Sequence, residues 1–292
     1  MVEYRPIWRG SMSNLVLEDV YEACDIINSC DGNPNYSRIY FSSNEPLEEL
    51  FQYFSVEGKD VLTVLGSSDQ LFYTLYHGAK RVDTYDINQL TKYYYYLRRW
   101  TILYRNQFYP DKSILKSHQF IYDLLSQVAC ETPEEEDAFL FWKTYIKQVY
   151  PFDSGNLFYY NVSDNTVPNL ELLQERLAKY PFSFTQQDIF ESVDIGKKYD
   201  LIITSNILEY ASQSPLKLMG ARNNLNKLLR EGGQIVCSHV FNTMDSSYFQ
   251  MEHDAFQRYF DCTEFPWSMD KTLKKKMPIG YVYTKKTDVN KK

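Results

Sequence analysis

The 292-residue sequence is poor in several of the features that identify a protein quickly. Its five cysteines (Cys24, Cys30, Cys130, Cys237 and Cys262) are odd in number, scattered and nowhere in C-x-x-C spacing. That excludes a readable disulfide framework or thiolate zinc site and predicts reduced thiols. Four histidines, His77, His118, His239 and His253, are too dispersed for a metal site, and none is expected. Glycine and proline number only 11 each, which excludes collagen-like, linker-like and low-complexity chains. No apolar run approaches the roughly 18 residues that cross a bilayer. The Met1–Arg9 segment lacks the apolar stretch of a signal peptide, so the expectation is a soluble, cytoplasmic chain without a transmembrane segment. Basic residues are outnumbered 31 to 38, for a net charge of -7. Binding to a phosphate backbone rests on clustered Lys and Arg, so no nucleic-acid partner is expected.

What the chain does have is apolar and aromatic material: 44% hydrophobic residues, with 26 Tyr, 18 Phe and 4 Trp. Residues 1–58 read as a helical N-terminal segment. Leu15–Ile27 has apolar residues at helical spacing, and Pro46–Phe54 forms a second helix with Glu48 and Glu49 in its first turn. From residue 59 the pattern changes. Asp60–Gly66 is an apolar run read as a buried parallel strand, Asp69–His77 a helix closed by Gly78, Arg81–Asp86 a second strand, and Asn88–Tyr104 a long helix. This βαβα order implies a parallel sheet with right-handed crossovers. The alternation breaks over about 107–180, read as a helical insertion. It resumes with strands at Phe182–Thr185, Tyr199–Ser205 and, after a Gly232-Gly233 turn, through Val240. Between the last two lies a helix at Leu216–Leu229. A helix at Ser246–Tyr259 and strands at Phe260–Phe265 and Gly280–Lys285 close the chain. Tyr93, Tyr94, Tyr95 and Tyr96 run around all sides of the long helix, so one or two are expected to reach a pocket while the others pack.

The chemistry concentrates where the first strand ends. Gly66 lets backbone approach a ligand without a Cβ clash, and the helix behind it offers unpaired N–H groups. Twenty residues later the second strand ends at Asp86, where a carboxylate can accept both ribose hydroxyls of an adenosine. Alternatively, Gly66 is a turn glycine and Asp86 a helix cap. The further glycines of G-x-G-x-x-G are missing, which disfavours a pyrophosphate cofactor such as NAD or FAD. After the third strand, Asp188 can accept from an adenine amino group while Ile189 packs on the ring, although Asp188 and Glu191 also fit a helix capping box. At the end of the fourth strand Asn206 and Glu209 are site candidates, with Asn206 alternatively a cap. Cys237 and His239 share one strand face as a hydrolase pair could, but core packing is the simpler reading. The Gly66–Gln70 stretch lacks the second glycine of a nucleophile elbow.

Together, the Asp60–Asp86 stretch, Asp188, the Asp200–Tyr210 stretch and the Leu228–Val236 turn resemble class I S-adenosylmethionine-dependent methyltransferases. The resemblance covers roughly residues 59–106 and 181–285; the single glycine of Gly66-Ser67-Ser68-Asp69 departs from the two or three usual in that family's first motif. It implies an α/β fold: a Rossmann-like, doubly wound, mostly parallel seven-stranded sheet with the helical N-terminal segment and helical insertion added to it. Residues 59–292 are then one S-adenosylmethionine-binding domain with its insertion. The resemblance also implies S-adenosylmethionine as cofactor. Gly66, Ser67, Ser68 and Asp69 would lie at its amino-acid end, Asp86 with Ile87 at the ribose, Asp188 with Ile189 at the adenine, and Ser205 alongside. Asn206, Glu209 and Tyr210 would face the acceptor, Glu209 as a general base. Short segments, Leu62–Gln70, Asp86-Ile87-Asn88 and Ser205–Tyr210, are similar to the diacylglycerol 3-amino-3-carboxypropyl transferase branch of betaine-lipid synthesis, which moves the cofactor's amino-acid arm instead. The expected activity is methyl transfer to a small-molecule or lipid-like, apolar acceptor. Aminocarboxypropyl transfer and non-catalytic nucleoside binding are the alternatives.

Overall fold

The computed structural model describes residues 14–26, 36–110, 118–148, 157–159, 165–191, 195–208, 214–238, 247–266 and 278–287. Its centre is a seven-stranded sheet in the order β5-β3-β2-β6-β7-β9-β8. The strands are β2 (Asp60–Val64), β3 (Arg81–Asp86), β5 (Phe184–Gln186), β6 (Tyr199–Ser205), β7 (Leu229–Cys237), β8 (Phe260–Pro266) and β9 (Pro278–Lys285). β5, β3, β2, β6 and β7 are parallel, while β9 runs antiparallel between β7 and β8. The five parallel strands therefore follow the 3-2-1-4-5 order of a Rossmann-like sheet, and the order reverses between β2 and β6. β2 is buried at every position because helices cover both faces, which is why it reads as an unbroken apolar run rather than an alternating one.

Helix α3 (Asp69–Tyr76) follows β2 and stops where Gly78 donates its N–H to the Leu75 carbonyl. The long helix predicted from Asn88 is α4 (Thr91–Arg105); the Asn88 side chain and carbonyl hold the turn before it, taking the Leu90 N–H and the Thr91 hydroxyl. Around α4 stand α1 (Asn14–Ile26), α5 (His118–Leu125), α6 (Pro133–Gln148) and α7 (Leu170–Ala178). α1 packs on α6, and α6 on α4. A two-residue strand of the N-terminal segment, β1 (Ile39–Tyr40), pairs in parallel with β4 (Phe158–Tyr159). The N-terminal segment and the stretch around 107–180 thus pack on one another and on α4. On the other side of the sheet, α8 (Pro215–Leu228) and α9 (Ser247–Gln257) pack together.

Several expectations need correction. All four tyrosines Tyr93–Tyr96 are buried, none more than 5% exposed. α4 is enclosed on every side: Tyr93 stacks on Phe141 at 4.0 Å, Tyr95 stacks on Phe182 at 3.9 Å, Tyr96 packs on Trp100, and Tyr94 donates to the Phe41 carbonyl. The helix expected at Pro46–Phe54 is a single turn, α2 (Leu47–Leu50), with Pro46 at its N-cap. The third sheet strand lies two residues later than its apolar signal, because Thr84–Asp86 of β3 select Phe184–Gln186 as partners. Gly232 and Gly233 lie inside β7 rather than before it. There Gly232 adopts φ +72°, and a Cβ on Gly233 would come within 2.9 Å of the Arg230 carbonyl, so the pair forms an irregularity against β6 that only glycine permits. No helix among the described residues is long and apolar enough to cross a membrane.

Candidate functional site

In a doubly wound sheet the ligand crevice opens at the carboxyl ends of the strands where the order reverses, here between β2 and β6. The chain leaves β2 through Leu65, whose N–H bonds the Tyr85 carbonyl, and enters Gly66 with φ +46°. The space where a Gly66 Cβ would stand is open, so backbone is exposed to whatever occupies the crevice. Ser68 follows in the left-handed region, at φ +72°, its N–H closing the turn on the Leu65 carbonyl. A non-glycine residue held there stores strain, which is concentrated at ligand-contacting backbone more often than elsewhere. The Ser68 hydroxyl is fully buried and has no hydrogen-bond partner among the described residues.

Asp86 faces this turn from the end of β3. Its carboxylate accepts the Gly66 N–H at 2.8 Å and the Asn88 N–H at 2.9 Å. Burial pushes its pKa up to about 6 against the pull of the Asn88, Gly66 and Ile87 N–H groups. The helix-cap alternative does not hold, since the N-cap of α4 is Leu90. Asp86 instead ties the ends of the two neighbouring strands together beside the exposed glycine.

The predicted positions do not all come together. Gly66, Ser67, Ser68, Asp69, Asp86 and Ile87 converge on the β2–β3 end. Ser205, at φ +53°, closes β6 and reaches the same crevice through Gln70 Nε2, 3.4 Å from its hydroxyl. Asp188 and Ile189 lie past β5, where Gln187 donates its N–H to the Asp86 carbonyl; Ile189 is buried beside Val64, Tyr85 and Leu208. The Asp188 carboxylate accepts the Phe190 N–H two residues on, so it shapes a turn, not the start of a helix. Asn206 is half-buried after β6 and does not cap α8, whose cap is Ser214. Glu209, Tyr210 and His239 lie outside the described residues. Cys237 is buried, and burial raises its thiol to about 12, the behaviour of a packed cysteine.

Two parts of the site are not legible in the sequence. The first is a buried ion pair under the glycine turn. Arg98, from α4 and fully buried, donates to Asp69 at 3.0 Å and to the Ser67 carbonyl at 2.9 Å, with its guanidinium 4.1 Å above the Tyr109 ring. The other Asp69 oxygen accepts the Ser67 hydroxyl at 2.8 Å and the Ser43 N–H. The Asp69 carboxylate is thus committed to holding the loop from below. An arginine two residues past the tyrosine run, on a helix buried on every side, is the sequence signal of a buried acid. The second part is Glu45. The Ser42-Ser43-Asn44-Glu45-Pro46 segment folds over the crevice, and Glu45 is buried at its centre. It accepts hydrogen bonds from Gln70, Ser43 and Ser238, and from the Ser205 hydroxyl. Asn165 fixes the backbone on both sides, donating to the Glu45 carbonyl at 2.7 Å and accepting the Leu47 N–H at 3.1 Å. No periodicity or motif marks Glu45; only a polar run before a helix-starting proline hints at it.

Behind Glu45 and Ser238 lies a narrow crevice walled by Pro46, Leu50, Tyr53 and Phe265, with room for about one water molecule. Phe265 stacks on Tyr53 at 4.9 Å and lies over Gly280, where any side chain would collide with its ring. Among the described residues there is no cluster of His, Cys, Asp and Glu suited to a metal ion.

Compared with known proteins, the chain matches no family model and no curated protein sequence. It is similar to solved structures that include the glycopeptide N-methyltransferase MtfA, at TM-score 0.43 and 10% identity over 97% of this chain and all of that one. A TehB-like S-adenosylmethionine-dependent methyltransferase from Corynebacterium glutamicum gives 0.42 and 10% over 92% and 96%. The N-methyltransferase NodS from Bradyrhizobium japonicum, in complex with S-adenosylhomocysteine, gives 0.39 and 9% over 91% and 98%. Likenesses of this depth do not transfer a chemistry. The fold stands on the strand order and register themselves: a Rossmann-like, doubly wound sheet with the Gly66 turn, Asp86, Gln70 and Ser205 at its strand ends and Glu45 bonded to Gln70 and Ser205.

Proposed function

We propose that this chain is an S-adenosylmethionine-dependent transferase that moves a methyl group to a small or apolar acceptor. The observation that carries the reading is the pairing of an open, Cβ-free Gly66 with a buried Asp86 carboxylate at the strand ends beside the order reversal. A nucleoside needs that combination: backbone it can approach and an acceptor for its ribose hydroxyls. The residues present fit such a cofactor. Asp86 would take the ribose; the strained Gly66–Ser68 turn, with its unpartnered Ser68 hydroxyl, would meet the amino-acid end; Asp188 and Ile189 would flank the adenine. When bound, the cofactor supplies an already activated sulfonium carbon. The chain's own task is then to align an acceptor and to exclude water. Arg98 and Asp69 keep the turn in place, and the Ser43–Pro46 segment covers it. The acidic balance of the chain suits a small or apolar acceptor better than a phosphate backbone. Asn206, Glu209 and Tyr210 would face the acceptor, with Glu209 as a general base.

Calorimetry with S-adenosylhomocysteine tests the reading. Wild-type protein should bind it, and Asp86→Ala should weaken binding by about 10- to 100-fold, the value of hydrogen bonds to a charged group. Unchanged affinity in Asp86→Ala would remove the ribose assignment. Under turnover, release of S-adenosylhomocysteine identifies methyl transfer. Release of methylthioadenosine identifies transfer of the aminocarboxypropyl arm, and binding without any product identifies a non-catalytic protein.

A further inference from the structure

Among the described residues, Glu45 is the buried carboxylate at the crevice to which the reading above gives no role. It belongs to the N-terminal segment, yet its contacts come from three elements of the sheet domain: Gln70 at the start of α3, Ser205 at the end of β6 and Ser238 just past β7. These elements meet at the order reversal, so Glu45 stands over the middle of the crevice. Its donors are hydroxyls and one amide, and among the described residues no cation lies within ion-pair distance of it. The contrast with Asp69, 24 residues further along the chain and directly paired with Arg98, is sharp. Burial pushes Glu45 up to about 7, with the Gln70, Ser205 and Ser43 hydrogen bonds opposing and the Asp69 charge assisting. A carboxylate built this way is incomplete as an anion: it has donors that orient it but no charge that balances it.

Resting on the proposed cofactor reading, we propose that Glu45 is the counter-charge for the positively charged arm of S-adenosylmethionine, so that a residue outside the sheet domain selects the charged donor over its neutral nucleoside remainder. Two positive groups lie on that arm, the sulfonium and the α-ammonium. Three defined probes separate them: S-adenosylmethionine carries both, S-adenosylhomocysteine only the ammonium, and methylthioadenosine neither. The groups that face Glu45 are Asp69 with its Arg98 partner and the thiol of Cys237; Glu49 lines the adjoining crevice.

The experiment is calorimetric titration of wild type and Glu45→Gln with each probe at about pH 8. Glu45→Gln should weaken S-adenosylmethionine by about 10- to 100-fold while changing methylthioadenosine less than about twofold. Retained methylthioadenosine binding also reports that the variant's crevice is folded. If S-adenosylhomocysteine falls with S-adenosylmethionine, the ammonium is the group bound; if it does not, the sulfonium is. Equal losses for all three probes, or no loss for any, overturn the proposal. A second arm needs only wild-type protein: its S-adenosylhomocysteine or S-adenosylmethionine affinity should rise as pH passes upward through about 7, because only the ionised carboxylate attracts a cation. A flat profile for both charged probes overturns the proposal as well. Wild-type protein that binds none of the three probes fails the cofactor reading itself, an outcome distinct from wild type binding all three with Glu45→Gln unaffected.

Discussion

The two ends of the central sheet hold their carboxylates in opposite ways. Toward the amino-terminal end, Asp60, Asp83 and Asp200 are interleaved with cations. Arg230 bridges Asp60 and Asp200, each at 2.7 Å, Arg81 touches Asp60 and Asp83, and Lys197 joins Asp83 at 3.2 Å. Although partial burial alone would raise Asp200, the hydrogen bonds from Arg230 and the Asp60 N–H hold it below the ordinary carboxylate value. At the carboxyl end, Asp86 and Glu45 are buried among N–H groups, hydroxyls and an amide, and burial raises both, to about 6 and about 7. Arg98 is the cation there among the described residues, and it is taken by Asp69. One end pairs its carboxylates with cations for the fold. The other leaves two of them close to neutral pH, where a bound polar or cationic ligand decides their state. Raised carboxylates in a crevice are a mark of sites rather than of scaffolds.

Three measurements sharpen or break that contrast. The largest effect belongs to Arg98→Met, which strands a fully buried Asp69 charge. Denaturant unfolding should show a loss of about 3–5 kcal/mol, partly recovered by adding Asp69→Asn. A loss below about 1 kcal/mol would mean that the pair does not anchor the glycine turn. Next comes the pH dependence of stability without ligand. Glu45 and Asp86 hold protons in the native state that the unfolded chain releases at lower pH, so native protein binds more protons between about pH 4.5 and 7. Stability should therefore fall as pH rises through that window and level off above it. Glu45 and Asp86 each account for on the order of 3 kcal/mol, so Glu45→Gln should flatten about half of the slope in a thermal-shift series. Stability rising through the same window would reverse the assignment of which sheet end carries the raised carboxylates. The smallest effect is Arg230→Ala. Its side chain is 42% exposed, so the melting temperature should drop slightly, and the drop should vanish in about 0.5 M salt. A salt-insensitive loss would mean that the amino-terminal end is as desolvated as the crevice.

Much of the sheet was legible because its signals are local. Asp60–Val64 and Leu201–Ile203 are contiguous apolar runs, which a strand buried on both faces requires, and Gly66 and Gly78 punctuate the chain where the structure turns. The twenty-residue step from Gly66 to Asp86 carries through to a hydrogen bond between them, because one βαβ unit fixes that distance. Boundaries that depend on a partner strand were not legible. Phe182-Ser183-Phe184-Thr185 has the apolar signal, but pairing with β3 shifts the strand to Phe184–Gln186. The glycine pair at 232–233 reads as a turn, yet the neighbouring β6 makes it an irregularity within β7. The tyrosine run could not announce its own burial, since the helices that cover it come from distant parts of the chain.

By itself, then, the sequence determined a doubly wound α/β sheet and the glycine–aspartate pair at its crevice, because periodicity, turn residues and the length of a crossover are properties of neighbouring residues. Only the tertiary structure decided that Glu45, 21 residues ahead of Gly66, folds back over that crevice, and that Arg98 turns inward to Asp69 rather than out to solvent. Burial of a charge and its choice of partner depend on what surrounds it in space, and no pattern along the chain encodes that.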